Sequence, residues 1–325
     1  MRKRFLRACA CMLLAGALAG CGAPGIADNR IKIGMNMATR DEFLTSMEAA
    51  AVKAAGADNV RLDVANANND QQAQLAQIKE WAEEGYAAAI VVLCEDEAAD
   101  KVLEKAGTMP VVFLNRRPAD DVLQSRANVV YIGCRETDAG RMQGEYLAGY
   151  FTGLQMQSPR IAVIAGSEVN SASAERVETA KGVMADAGLT PRYIYEADAG
   201  WDRATAQKDF LAYLRGKKPT VDAVLAANDE MAIGAAEALS QAGYAISDIP
   251  VVGVDATAAG RAAIRDGRLD FTVYQDPVAE GAGAVEAAMA LLGGSQPKNV
   301  QNSIRWISYT PVTVENIDQL FPNNQ

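Results

Sequence analysis

Residues 222–255 constrain the fold more than any other stretch. Ala223-Val224-Leu225-Ala226-Ala227 contains no polar residue and is bounded by Asp222 and Asn228. So short an apolar run reads as a strand covered on both faces. Asn228-Asp229-Glu230-Met231 then opens a segment through Leu239 whose apolar residues recur at helical spacing. After Gly243 a second buried strand, residues 249–254, stops on Asp255. Buried strands alternating with helices call for a parallel sheet with helices on both faces. In open sheets of that kind, ligands lie outside the carboxyl ends of the strands. Asn228 and Asp255 therefore stand at neighbouring strand ends as candidates to face one cleft, whereas Asp229 reads as the cap of the helix that follows.

The same rhythm runs through the rest of the chain. Strands are predicted over residues 31–35, 60–64, 88–93, 111–114 and 129–133, with helices over 70–84 and 97–106. A second set opens with a helix over 136–150 and continues with a strand at 161–166, a helix at 172–187, a strand at 193–196 and a helix at 203–214. The fold class is α/β, with a doubly wound parallel sheet laid down twice. At 325 residues the chain exceeds one small core and suits two lobes. No Pro/Gly-rich tether separates the halves, which favours several short crossovers.

Residues 1–21 read as a signal peptide, with Arg2, Lys3, Arg4 and Arg7 ahead of an apolar run, residues 8–19, too short to span a membrane. Its ending, Leu18-Ala19-Gly20-Cys21, resembles a bacterial lipobox, which makes Cys21 the expected lipidation site. Loss of four basic residues and no acidic ones would take the net charge from -10 to -14. Such acidity argues against nucleic acid as a partner. The chain has no histidine, the commonest general base and metal ligand, so a Ser-His-Asp triad is excluded. With Cys9 and Cys11 in the leader, Cys94 and Cys134 remain. Both fall at ends of strands that doubly wound order would separate by another strand, too far apart for a disulfide, so two buried free thiols are expected.

The segments Asn228-Asp229-Glu230-Met231-Ala232-Ile233-Gly234-Ala235 and Val251-Val252-Gly253-Val254-Asp255 resemble the signature of the type I periplasmic sugar-binding proteins, the ribose-binding and galactose/glucose-binding group. Further matches in order are Pro110-Val111-Val112-Phe113-Leu114-Asn115-Arg116-Arg117-Pro118, Tyr131-Ile132-Gly133 and Trp201-Asp202-Arg203-Ala204-Thr205-Ala206-Gln207-Lys208-Asp209. The resemblance covers nearly all of the chain after the leader and is nearest to the galactose/glucose-binding branch. It implies an N-terminal lobe of residues 30–134 plus 276–305 and a C-terminal lobe of 135–275 plus 306–325. Crossings would fall near Cys134, Gln275 and Arg305, with a helix over 278–292.

A pyranose presents C–H patches on its faces and hydroxyls around its rim, so its site needs aromatic plates and planar polar groups. The resemblance implies Phe43 and Trp201 as plates and Asp41, Asn115, Arg176, Asn228, Asp255 and Gln275 as rim groups. Phe43 reads alternatively as a packing residue and Asn115 as a turn residue. Arg176 is poorly placed for the dipole at a helix start, so a sugar oxygen or Asp255 is its expected partner. Arg116 and Asn170 are possible sugar-facing groups, with a solvated charge the plainer reading of Arg116. Two departures stand out. Residues 151–159 contain no carboxylate where the galactose/glucose branch has a calcium loop, so no metal is expected. Asn170 and Ala172 stand where that branch has a sugar-facing histidine and aspartate, which puts sugar identity in doubt.

The function implied is a lipid-anchored substrate-binding protein of an ABC sugar importer. It would sit on the outer face of the cell membrane or in the periplasm and close two lobes on a monosaccharide such as galactose, glucose or a methyl galactoside. It would need no cofactor and catalyse nothing. The alternatives are a binding subunit that reports to a chemoreceptor or sensor kinase, or another monosaccharide such as ribose. A glycosidase would need Asp229 or Asp41 paired with Asp255. A dinucleotide enzyme is disfavoured because Gly281-Ala282-Gly283 follows no strand, and a sugar-responsive transcription factor because the leader occupies the place of a DNA-binding head.

Overall fold

Asp41 starts the first helix by accepting a hydrogen bond from the Leu44 amide, and the same local chemistry, an Asx side chain at a strand's end, recurs along the chain. The computed structural model describes residues 28–322. The leader and Cys21 lie outside the described residues, and from Ile31 onward the chain forms one body.

A six-stranded parallel sheet comes first, built from β1 (Ile31–Met37), β2 (Val60–Asn66), β3 (Ala88–Val91), β4 (Val111–Leu114), β5 (Val129–Cys134) and, from much later in the chain, β11 (Ile304–Ile307). Its order is β11-β5-β4-β3-β1-β2. One face is covered by α1 (Glu42–Ala57) and α10 (Pro277–Leu292), the other by α2 (Gln71–Glu83) and α3 (Ala99–Ala106). Each face buries its own apolar cluster. α1 is absent from the strand-and-helix rhythm read above, yet its buried Phe43, Leu44, Met47, Ala51 and Ala55 have helical spacing. A short α4 (Asp120–Gln124) leads into β5.

The second sheet holds β6 (Arg160–Ala165), β7 (Arg192–Asp198), β8 (Ala223–Ala226) and β9 (Val251–Val252) in the order β7-β6-β8-β9. It is flanked by α5 (Glu136–Gly153), α6 (Ser171–Asp186), α7 (Arg203–Lys217), α8 (Asp229–Gln241) and α9 (Ala258–Arg265). Parallel bridges from Val252 to Phe271 and from Asp255 to Tyr274 bring β10 (Thr272–Tyr274) beside β9, and β12 (Thr310–Val312) pairs antiparallel with β10. A short α11 (Ile317–Leu320) follows.

The chain thus passes between the sheets after β5, after β10 and after β11. Ile304 to Ile307 pair in register with Tyr131 to Cys134, so the last passage falls at Ser308-Tyr309, slightly beyond Arg305. Cys94 and Cys134 are buried free thiols at the ends of β3 and β5, with β4 between them.

Candidate functional site

The carboxyl ends of both sheets and the passages after β5 and β10 converge on one cavity. All ten residues singled out as plates, rim groups or possible sugar contacts line it, joined by Leu44, Glu136 and Ala172.

From the first sheet come Asp41, Phe43, Asn115 and Arg116. Asp41 is both helix cap and cavity wall, and burial raises its carboxyl above the usual range against the opposing Leu44 amide and Arg116 charge. Phe43 is 8% exposed, packing into the core as well as facing the cavity. Asn115 sits just past β4 with φ of 64°, a left-handed conformation asparagine tolerates, and its Nδ2 donates to Glu280 Oε2 at 3.3 Å. Arg116 is buried, not solvated: its Nη1 donates to the Leu93 and Cys94 carbonyls at 2.8 and 3.2 Å, and desolvation lowers its pKa.

The second sheet supplies Asn170, Arg176, Trp201, Asn228 and Asp255. Asn228, not Asp229, caps α8: its Oδ1 accepts from the Met231 amide at 3.0 Å, leaving its amide nitrogen for the cavity. Asp229 is wholly buried outside the cavity wall, accepting from Thr272 Oγ1 at 2.6 Å and the Thr257 amide at 3.1 Å. That interior position removes it from any glycosidase pair. Asn170 caps α6 through the Ala172 amide.

Arg176 is the hub. The chain of α5 passes so close to it that a Cβ on Gly140 would lie 2.2 Å from the Arg176 carbonyl oxygen. The guanidinium donates from Nε to Glu136 Oε2 at 2.6 Å, from Nη1 to the Ala227 carbonyl at 2.8 Å, and from Nη2 to Tyr309 Oη at 3.1 Å and Gln275 Oε1 at 3.3 Å. Asp255, the partner read from the sequence, stands 3.8 Å away. The principal counter-charge is therefore Glu136, which sequence reasoning missed; the signal available was an acid at the first residue after a strand-end arginine. Gln275 has both ends of its amide engaged, since Nε2 donates to Glu280 Oε1 at 2.7 Å. It holds Arg176 in place from behind.

Asp255 and Trp201 are left with capacity to spare. Asp255 has φ of 112° and Ala256 has 47°, a backbone kink outside ordinary strand geometry. Burial raises the Asp255 carboxyl well above its usual range, Arg176 opposing, and among the described residues none donates it a hydrogen bond. Trp201, also at positive φ, lies flat on Gly166, where a Cβ would fall 2.3 Å from the indole. The Arg176 guanidinium stands 5.7 Å from its ring centre. Its buried Nε1–H meets no acceptor among the described residues.

Among the described residues no three Cys, Asp or Glu side chains are grouped to hold a metal ion. The cavity can grip a solute by two aromatic faces, a guanidinium, amides and carboxylates.

Comparison with known proteins agrees with this architecture. A model of the "Periplasmic binding protein domain" matches residues 33–296. The chain is 31% identical over 299 residues, 90% of it and 93% of the relative, to a protein of Rhizobium meliloti named "Putative rhizopine-binding protein". It is 30% identical over 257 residues, 78% of it and 82% of the relative, to the ribose import binding protein RbsB of Salmonella typhimurium. Among solved structures, an ABC transporter solute binding protein from Bacillus halodurans with bound myo-inositol superposes with a TM-score of 0.79 at 28% identity, covering 90% of this chain and 97% of that one. With a cleft between two parallel sheets and a family match over most of its length, the chain belongs to the periplasmic binding protein family, type I in fold.

Proposed function

We propose that this protein captures a small polyhydroxylated ring in the cleft and delivers it to an ABC-type importer, with no bond made or broken. Substrate-binding proteins, not enzymes, make up its family, and sugar import is represented among its relatives. One observation carries the reading: the buried Trp201 Nε1–H, which meets no acceptor among the described residues, and the buried Asp255 carboxyl, which has Arg176 at 3.8 Å but receives no hydrogen bond from any described residue, line the same cavity. A group that both accepts and donates answers both, and a ring of hydroxyls is the simplest solute to supply it. Leaving either unmet costs about 1 to 3 kcal/mol.

Within that class a hexopyranose is our first choice: galactose, glucose or a methyl galactoside, held between Phe43 and Trp201 with Asp41, Asn115, Arg176, Asn228 and Asp255 around the rim and Gln275 behind. Arg116 and Asn170 add the remaining polar wall. A cyclitol or ribose is the second reading, favoured by what the relatives just described bind. Cys21 is the proposed lipid attachment point, and a sensing role beside a membrane receptor or kinase is the alternative to import.

A thermal-shift screen over galactose, glucose, ribose and myo-inositol, followed by calorimetry, tests the reading. One of them should raise Tm and bind in the micromolar range or tighter. Silence across a full panel of neutral sugars and polyols would overturn it.

A further inference from the structure

Beside the principal cavity lies a second chamber of about 240 Å³, open to the surface, and the two share Asn115, Glu136 and Ala172 as wall. Ala172 contributes only a methyl group to that partition. The chamber's other walls are unusually well supplied with unspent polar capacity. Arg117 pairs through Nη2 with Asp120, while its buried Nε–H meets no acceptor among the described residues. The side chains of Arg135 and Glu175 make no hydrogen bond or ion pair with another described residue. Trp306, 37% exposed, holds both arginines in place: the Arg117 and Arg135 guanidinium carbons stand 5.5 and 4.9 Å from its ring centre. Thus two fixed sets of N–H donors face a carboxylate across a space that begins where the ring site ends.

Resting on the reading of the first cavity as a ring-polyol site, we propose that the ligand site continues past Ala172 into this chamber. The solute is then a ring bearing a hydroxylated substituent, as in a glycoside with a further sugar. Its substituent accepts from Arg117 Nε and Arg135 and donates to Glu175. The chemistry selects hydroxyls over a charged group. A phosphate or carboxylate would suit the arginines but meet Glu175 and Glu136, and an ammonium group would meet Arg117 and Arg135. Hydroxyls satisfy both kinds of wall at once. Neither Arg117 nor Trp306 lines the first cavity, so the two sites can be perturbed separately.

Calorimetry on the full-length mature protein decides it, with D-galactose, D-glucose, D-ribose and myo-inositol as free rings and melibiose, lactose, maltose, cellobiose and galactinol as extended probes. At least one extended probe should bind within tenfold of, or more tightly than, the best free ring. Arg117→Ala and Trp306→Leu should each weaken that probe at least fivefold and leave the free ring's affinity within twofold. Should every extended probe bind more than tenfold more weakly than the free ring, or should the variants lower both affinities alike, the extension is wrong. Failure of the underlying reading would look different, as no binding of any free ring. Circular dichroism and Tm of both variants guard against a folding defect, and Arg117→Gln, which keeps an N–H donor, should recover part of the loss.

Discussion

Arg176 Nε and Glu136 Oε2 lie 2.6 Å apart, with 5% and 9% of the two side chains exposed. A buried pair with so short a contact holds charges that neither partner could carry alone. Glu136→Gln and Arg176→Met should each lower the unfolding free energy by about 3 kcal/mol, the scale for breaking a buried ion pair from one side. The double variant should lose less than the sum. Urea denaturation of all three gives the coupling; strictly additive losses would mean that the pair is not a unit.

Trp201 should behave as a ligand plate. Trp201→Ala is expected to weaken binding of the sugar found by screening by about 2 kcal/mol or more, with the Tm of the ligand-free protein nearly unchanged. Trp201→Phe keeps a ring over Gly166 but removes the unsatisfied Nε1–H, and should fall between. An unliganded fold that collapses in the alanine variant would make the residue part of the core instead.

Acidity should stabilise the protein over part of the pH range. Burial raises the Glu280 carboxyl from an ordinary 4.5 to about 7, and the Asp229 carboxyl from an ordinary 3.8 to about 7. Between the unfolded and folded values the native state holds protons that the unfolded chain has lost, so stability falls as pH rises from about 4.5 to 7. For Glu280 the full effect is about 3 kcal/mol. Glu280→Gln should flatten that part of the profile, as read by Tm from pH 5 to 8. A variant profile parallel to the wild type's would remove Glu280 as its source.

Among the described residues three hydrogen bonds link the two halves of the cleft apart from the passages themselves: the Asp96 amide to the Val169 carbonyl at 3.2 Å, the Ser171 amide to Asp96 Oδ2 at 2.7 Å and the Ala259 amide to Glu42 Oε1 at 3.1 Å. If binding works by hinged closure, Asp96→Ala with Glu42→Ala should raise the ligand's off-rate severalfold and leave the on-rate almost unchanged. Solution scattering should show the wild type contracting on saturation with ligand. A radius that does not change while binding is confirmed would rule closure out.

Ala172 lines the cavity where the galactose/glucose branch is expected to offer a carboxylate. Ala172→Asp should favour a free sugar over its methyl glycoside by roughly tenfold, the affinity equivalent of about 1.4 kcal/mol. Calorimetry with galactose and methyl galactoside on both proteins checks this. An unchanged ratio would place the sugar in another orientation.

The fold was open to sequence reading because each buried strand is a nearly pure apolar run that ends on a polar residue, as Ala223 to Ala226 does before Asn228. That punctuation also brought Asn228, Asp255, Asn115 and Trp201 to one place. What the sequence hid was who pairs with whom. Arg116 looks like a surface charge in Asn115-Arg116-Arg117, but only the packed structure brings the Leu93 and Cys94 carbonyls to its guanidinium. Glu136 and Arg176 are far apart in sequence and meet because α5 and α6 approach closely at Gly140. Asn228 and Asp229 are both credible caps, and a helix start that differs by one residue decides which of them faces the cavity.

The edge strand β11 and the covering helix α10 both belong to the sheet that begins at Ile31, and β11 ends only at Ile307. During synthesis, that sheet cannot close its edge or finish covering the face that α1 and α10 share until almost the whole polypeptide has emerged. For a member of a periplasmic family, such delay is useful: until its last strand is made, the N-terminal half is an incomplete core, closer to the thread-like polypeptide that export requires.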